Sequence, residues 1–187
     1  MSRMRTLRST VLALTALMVV ACQRHKAQVP TEYEEANRPA IIFPDYTNVV
    51  VPPNIAPLNF MLKDTAVTEI VARFQGQGDA LVAGGGDDAK VEIDSTRWRK
   101  LLQENRGHDI TVSLYARQGE QWLHYPDYKL TVAEEDIDNY LSYRLIEPGY
   151  ELYRQLGLYQ RNLTNWDVHT IYENNRKYSD KDNHCIN

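Results

Sequence analysis

Ile110-Thr111-Val112-Ser113-Leu114-Tyr115-Ala116-Arg117 alternates two kinds of side chain with a period of two. Successive side chains leave an extended strand on opposite faces, so Ile110, Val112, Leu114 and Ala116 share one face and Thr111, Ser113, Tyr115 and Arg117 the other. Gln118-Gly119-Glu120-Gln121 then reads as a hairpin turn, and Leu130 and Val132 resume the alternation after Tyr128. Upstream, Ile70, Ala72 and Phe74 alternate with Val71 and Arg73, and Gly84-Gly85-Gly86-Asp87-Asp88 makes another connection. Short strands with turn punctuation from Leu58 to about Ala133 predict an antiparallel sandwich rather than parallel βαβ units. One helix interrupts them over Ser95 to Arg106. Ser95 or Thr96 is placed to cap it, Trp98, Leu101 and Leu102 fall at i, i+3 and i+4, and Gly107 is placed to close its end.

Before this region, Pro44-Asp45-Tyr46-Thr47-Asn48-Val49-Val50-Val51-Pro52-Pro53-Asn54-Ile55-Ala56-Pro57 carries prolines that forbid helix but permit extended or edge-strand structure. Ordered structure is expected to begin there. Gln23 to about Arg38 is polar, with almost no aliphatic residue, and reads as a tether. After Asp136 the texture changes. Tyr140, Tyr143, Tyr150, Tyr153 and Tyr159 accompany Leu141, Leu145, Leu152, Leu156 and Leu158, broken at Pro148-Gly149 and Gly157, which predicts paired strands of a second, incomplete unit.

The first 22 residues decide the location. Arg3, Arg5 and Arg8 precede the uncharged run Ser9 to Ala21, which is too short to span a hydrocarbon core of ~30 Å as a mature helix. Val19-Val20-Ala21-Cys22 places a small residue directly before a cysteine, the pattern of a bacterial lipoprotein signal. An ordinary secretory signal shares the charge and the apolar run, and only the residues at the cut separate the two. Cleavage would leave Cys22 as an acylated first residue. Cleavage also removes three arginines, leaving 18 basic against 25 acidic residues and a net charge of −7. Lys and Arg are scattered among Asp and Glu, so neither nucleic acid nor anionic lipid is attracted by overall charge. With Cys22 used for lipid, Cys185 is the remaining thiol, and no intrachain disulfide is expected.

No complete catalytic constellation is present. Asp182-Asn183-His184-Cys185-Ile186-Asn187 holds the first cysteine and both spacers of a C-x-x-C-H haem-attachment pattern, which needs all five residues in register. By spacing alone a terminal free thiol is the stronger reading. His25, His108, His124 and His169 lack metal-ligand spacing, and Gly76, Gly78, Gly84, Gly85 and Gly86 match no phosphate-binding loop. They are turns. Trp98, Trp122 and tyrosines such as Tyr115 would suit a sugar-stacking face, although core packing is the commoner use of such rings. Asn162-Leu163-Thr164 matches a glycosylation triplet that is usually idle in a bacterium. Glu134-Glu135-Asp136 with Asp138 reads as a solvated junction.

Together, the Val19-to-Cys22 signal, Pro44 to Asn48, Pro57-Leu58-Asn59-Phe60, Leu145-Ile146-Glu147-Pro148-Gly149-Tyr150-Glu151-Leu152-Tyr153 and Tyr159-Gln160-Arg161-Asn162-Leu163 resemble TolB-like β-propeller lipoproteins of the bacterial envelope. The resemblance implies an N-terminal sandwich preceding a propeller, and a segment like Asn183 to Asn187 that continues into Cys-His. Cys185 would then be the first haem-linking cysteine of a longer protein carrying covalent haem c, while the chain as given holds no cofactor. The expected organisation is a signal peptide over 1–21, a flexible tether over 22–43, an Ig-like antiparallel β-sandwich with one short helix over 44–135, and the start of an incomplete propeller over 136–187. The expected role is a non-enzymatic, periplasm-facing scaffold or binding module, anchored in the outer or inner membrane through lipid at Cys22, with an envelope protein as partner and no nucleic acid. The alternatives are a c-type haem electron-transfer protein and a carbohydrate-binding sandwich.

Overall fold

A computed structural model describes residues 27–64, 66–86, 88–146 and 156–173. Within them the chain is mainly β. In order come β1 (Glu34–Glu35), β2 (Ile42–Phe43), β3 (Val49–Val51), β4 (Phe60–Leu62), β5 (Glu69–Gln75), β6 (Leu81–Gly84), β7 (Lys90–Val91), α1 (Ser95–Glu104), β8 (Asp109–Gln118) and β9 (Gln121–Val132). β10 (Tyr140–Ile146), β11 (Leu156–Asn162) and β12 (Val168–Glu173) follow. The larger sheet runs β1-β9-β8-β5-β6 with β3 also on β9, and the smaller one runs β2-β4-β7.

The two sheets and the helix close over one core. Its members include Ile42, Phe60, Leu62 and Val91 from the smaller sheet, Ile70, Ala72, Phe74, Ile110, Val112, Leu114 and Ala116 from the larger, and Trp98, Leu101 and Leu102 from α1. The predicted alternation of β5 and β8 is therefore realised, with Ile70, Ala72 and Phe74 facing the same core as Ile110 to Ala116. Gln118 pairs with Gln121 across a two-residue loop in which Gly119 has φ +62°, the left-handed value such a hairpin requires at its first position.

β9 is kinked by sequence. Val112 faces Tyr128 and Leu114 faces Tyr125, so Pro126 and Asp127 oppose the single residue Ser113. A bulge is where proline, which has no N–H to give the ladder, fits inside a strand. It also changes the phase of β9, keeping Tyr125 and then Tyr128 buried.

The helix begins one residue earlier at its cap than the sequence suggested. Asp94, rather than Ser95 or Thr96, accepts from Arg97 N at 2.8 Å. α1 ends at Glu104 because the buried Asn105 leaves the helical path. Its side chain donates to Leu101 O at 2.7 Å and accepts from Gln77 N at 2.6 Å. Gly107, expected to close the helix, sits two residues beyond the cap with φ +71° and donates to Val132 O.

The stretch 22–43, expected as a flexible tether, is part of the fold from Ala27 onward. β1 and β3 both run parallel to β9 along the same edge, while β2 between them crosses to pair with β4. The segment thus joins both sheets, and the sandwich is antiparallel except along this edge. Apolar content misses such pairing because backbone groups supply it: Ala36 N donates to His124 O and Ala133 N to Val51 O. Arg38 adds an ion pair to Asp64 at 2.6 Å. Two short strands laid on a long one also leave little of that edge open.

β10, β11 and β12 form a separate antiparallel meander, adding a third strand to the pair expected after Asp136. It meets the sandwich through the 54–57 loop. Asn54 binds Ile137 through both N–H and C=O, Ala56 N donates to Leu163 O, and Trp166 Nε1 donates to Pro57 O at 2.9 Å.

Candidate binding cleft

An open cleft of about 1150 Å³ lies where the start of β5, the turn after β6, strand β7 and the β8–β9 hairpin converge. Register builds its floor: Glu69 pairs with Arg117, and Arg117 with Trp122, so three neighbouring strands put these side chains on one face. Arg117 is held from two sides, with Nη1 3.6 Å from Glu69 Oε2 and Nε donating to Gly119 O at 3.2 Å. Trp122 is half-buried at the position facing it on β9. Lys90, Asp88, Glu92 and Asp94 line the opposite wall, with Lys90 Nζ 3.5 Å from Asp88 Oδ2.

Gly84 and Gly85 make the third wall possible. Both have positive φ, +96° and +81°, and a Cβ on Gly84 would collide with the Ile70 carbonyl oxygen. Gly85 N donates to that oxygen at 2.8 Å. A Cβ on Gly85 would lie 3.0 Å from Ala27 Cα, so the amino-terminal segment passes directly against this wall. The cleft therefore offers one indole, one guanidinium, one ammonium and several carboxylates, a set suited to a polar ligand with an apolar face.

Compared with protein families, with curated proteins and with solved structures, the chain gives no match.

The residues singled out from sequence are placed apart. Trp98 is 1% exposed, packs edge-on to Phe74 with centroids 5.7 Å apart, and donates from Nε1 to Ile55 O. It is core. Tyr115, expected beside Trp122 on a stacking face, is only 7% exposed. Tyr33 covers it edge-on at 5.2 Å and the His124 ring stacks on it, so a ligand finds Trp122 without it.

His124 itself is held on both nitrogens. Nδ1 lies 2.9 Å from Glu35 Oε2, and Nε2 lies 3.2 Å from Asp127, which the bulge carries to that side. The carboxylates meet opposite ring nitrogens, which does not assemble a single metal point. Among the described residues no group of three or more His, Cys, Asp or Glu is arranged to hold a metal ion. In the acid cluster, Arg106 binds Asp136 at 2.7 Å and the Glu134 carbonyl at 2.8 Å.

Cys22, the expected lipidation site, and Cys185, the expected first haem cysteine, lie outside the described residues. No helix among the described residues is long and apolar enough to cross a membrane. Sequence reasoning missed Glu69, Lys90 and Arg117 because charged residues scattered over three segments carry no spacing signal. The run Gly84-Gly85-Gly86 was the one local sign, a backbone that admits close approach.

Proposed function

We propose that this chain is a non-enzymatic, lipid-anchored binding module of the bacterial cell envelope, facing the periplasm, held at Cys22 and taking its ligand in the cleft beside Trp122. The reading is carried by where the chain enters: Ala27, five positions after Cys22, lies against Gly85 on the wall of that cleft. An anchor so close keeps the cleft within reach of molecules at the membrane surface, and the acidic charge disfavours nucleic acid as a partner. The same reading takes the chain as the amino-terminal part of a TolB-like propeller protein, for which the antiparallel β10-β11-β12 meander, one strand short of a four-stranded blade, is the support. The test is membrane fractionation with acyl labelling. Wild-type chain incorporates label at Cys22 and stays with membranes, and Cys22→Ser carries no label and leaves them. A Cys22→Ser chain that fractionates as wild type removes the anchor from the reading.

The ligand chemistry favoured by the cleft is carbohydrate. A half-buried indole flanked by the Arg117–Glu69 pair offers a stacking surface next to donors and acceptors for hydroxyl groups. Titration of soluble peptidoglycan fragments should change tryptophan emission in wild type and not in Trp122→Phe. Emission unchanged in wild type at saturating fragment would sink the carbohydrate reading.

A further inference from the structure

We propose that the outer face of the β2-β4-β7 sheet is the surface that sits on the bilayer holding Cys22. This rests on the lipid-anchor reading above and adds an orientation to it.

The face is assembled by alternation. Ile42 and Leu62 point into the core, which turns Ile41, Phe43, Met61 and Lys63 outward. Phe43 pairs with Met61, Met61 pairs with Lys90, and Lys63 N donates to Ile41 O, so these five side chains form one contiguous patch. Ile41 is 58% exposed, Phe43 52% and Met61 39%. Exposing three large apolar side chains together carries a cost in water that a partner surface removes.

Lys63 shows how the patch would seat. In the free protein its Nζ lies over the Phe43 ring, 4.4 Å from the centroid, and the stem is long enough to swing the ammonium outward when the patch meets a surface. Lysine stems cover apolar surface in that way while the head stays at headgroup level. Lys90 is partly neutralised by Asp88, so the apolar residues dominate.

Chain length selects the bilayer as occupant. Cys22 and Ala27 are five residue steps apart, at most ~18 Å of extended chain. Ala27 lies at Gly85, and Gly85 shares a cleft lining with Lys90 of the patch. An acylated Cys22 thus holds the patch within about one domain radius of the membrane, giving it an effective concentration on the order of millimolar. The net charge of −7 opposes long-range attraction, and a tether makes such attraction unnecessary. A second exposed apolar pair, Leu141 and Leu145 on one face of β10, has no comparable link to the anchor.

The experiment places the full acylated chain in vesicles of phosphatidylethanolamine and phosphatidylglycerol whose acyl chains are brominated. Met61→Trp, Ile41→Trp and Leu141→Trp are compared with unsubstituted chain, whose own tryptophans set the baseline. The added emission of Met61→Trp and Ile41→Trp should be quenched about two-fold or more relative to unbrominated vesicles, and that of Leu141→Trp should not. Ile41→Trp reports the same face should Met61→Trp fail to fold. Unquenched emission at both positions in acylated protein overturns the proposal, as does quenching at Leu141→Trp instead. An amino-terminal peptide whose mass shows no acyl group at Cys22 overturns the anchor reading and this orientation with it, so the two failures are distinguishable.

Discussion

The imidazole of His124 stacks on the ring of Tyr115 with centroids 4.8 Å apart and planes 24° from parallel. Each comes from a different strand of the β8–β9 hairpin, and Tyr33 closes over both from the chain before β1. The contact fastens the amino-terminal segment to the middle of the larger sheet.

Removing that ring should loosen the segment. β1 is two residues long and depends on its neighbours, so His124→Ala loses the stack and both carboxylate contacts, about 1–2 kcal/mol together. A fall in melting temperature of about 3–6 °C is expected for a chain of this size. Hydrogen exchange at Ala36 N–H, which donates to His124 O, should accelerate. Unchanged exchange there would mean the backbone pairing holds β1 unaided.

Trp98 and Trp122 should respond in opposite ways to truncation. Trp98→Ala empties a filled site between Phe74 and Ile55 and should cost about 3–5 kcal/mol in urea denaturation. Trp122→Ala opens no core cavity and should stay within about 1 kcal/mol of wild type while abolishing the emission response to ligand. Comparable losses would make Trp122 a core residue and remove it from the cleft's chemistry.

Acid should act through Asp64. Hydrogen bonds from Ala66 N and Arg38 hold its carboxyl below the usual aspartate range. A carboxylate with a depressed folded pKa adds stability that is fully present above the unfolded value, near ~3.9, and is lost as pH falls through the folded one. Melting temperature should therefore decline below pH ~4 in wild type, and Asp64→Asn should flatten part of that decline while lowering the plateau at neutral pH. Asp45, held by Thr47, and Asp109, held by Thr131 and Lys129, shift in the same direction and add to the decline. A wild-type profile with the slope reversed would contradict the assignment.

The helix cap makes a sharper distinction. Asp94→Ala should destabilise by about 1 kcal/mol, because it leaves Arg97 N without its acceptor, whereas Ser95→Ala, inside the first turn, should change little. Equal losses in the two variants would restore the cap predicted from sequence.

What was legible in the sequence was whatever follows from periodicity. β5 and β8 alternate over seven or more residues, β9 alternates from Tyr128 to Val132, and α1 places Trp98, Leu101 and Leu102 on one stripe. β1, β2 and β3 span two or three residues each, too few for any period, and form because other strands leave backbone donors and acceptors that need partners, β9 for β1 and β3 and β4 for β2. Asp94 was overlooked because Ser95 and Thr96 are equally good caps by type, and only the backbone turn at Asp94 decides among them. The cleft was illegible for another reason. Trp122 could be named from its kind, but Glu69, Lys90 and Arg117 become neighbours only through strand register.

Parallel pairing along the β9 edge fixes an order of events. Glu35 and His124 are 89 positions apart, so when the chain is made or exported from its amino terminus, the first strand waits for nearly the whole sandwich before it has a partner. The β8–β9 hairpin, closed by two residues, can form at once and offers a ready template. The amino-terminal seam is sealed last. An enzyme cutting at Ala21-Cys22 would then work on a chain whose neighbouring strand is still unclaimed, and docking of Ala27 at Gly85 would follow the cut as a latch follows a door.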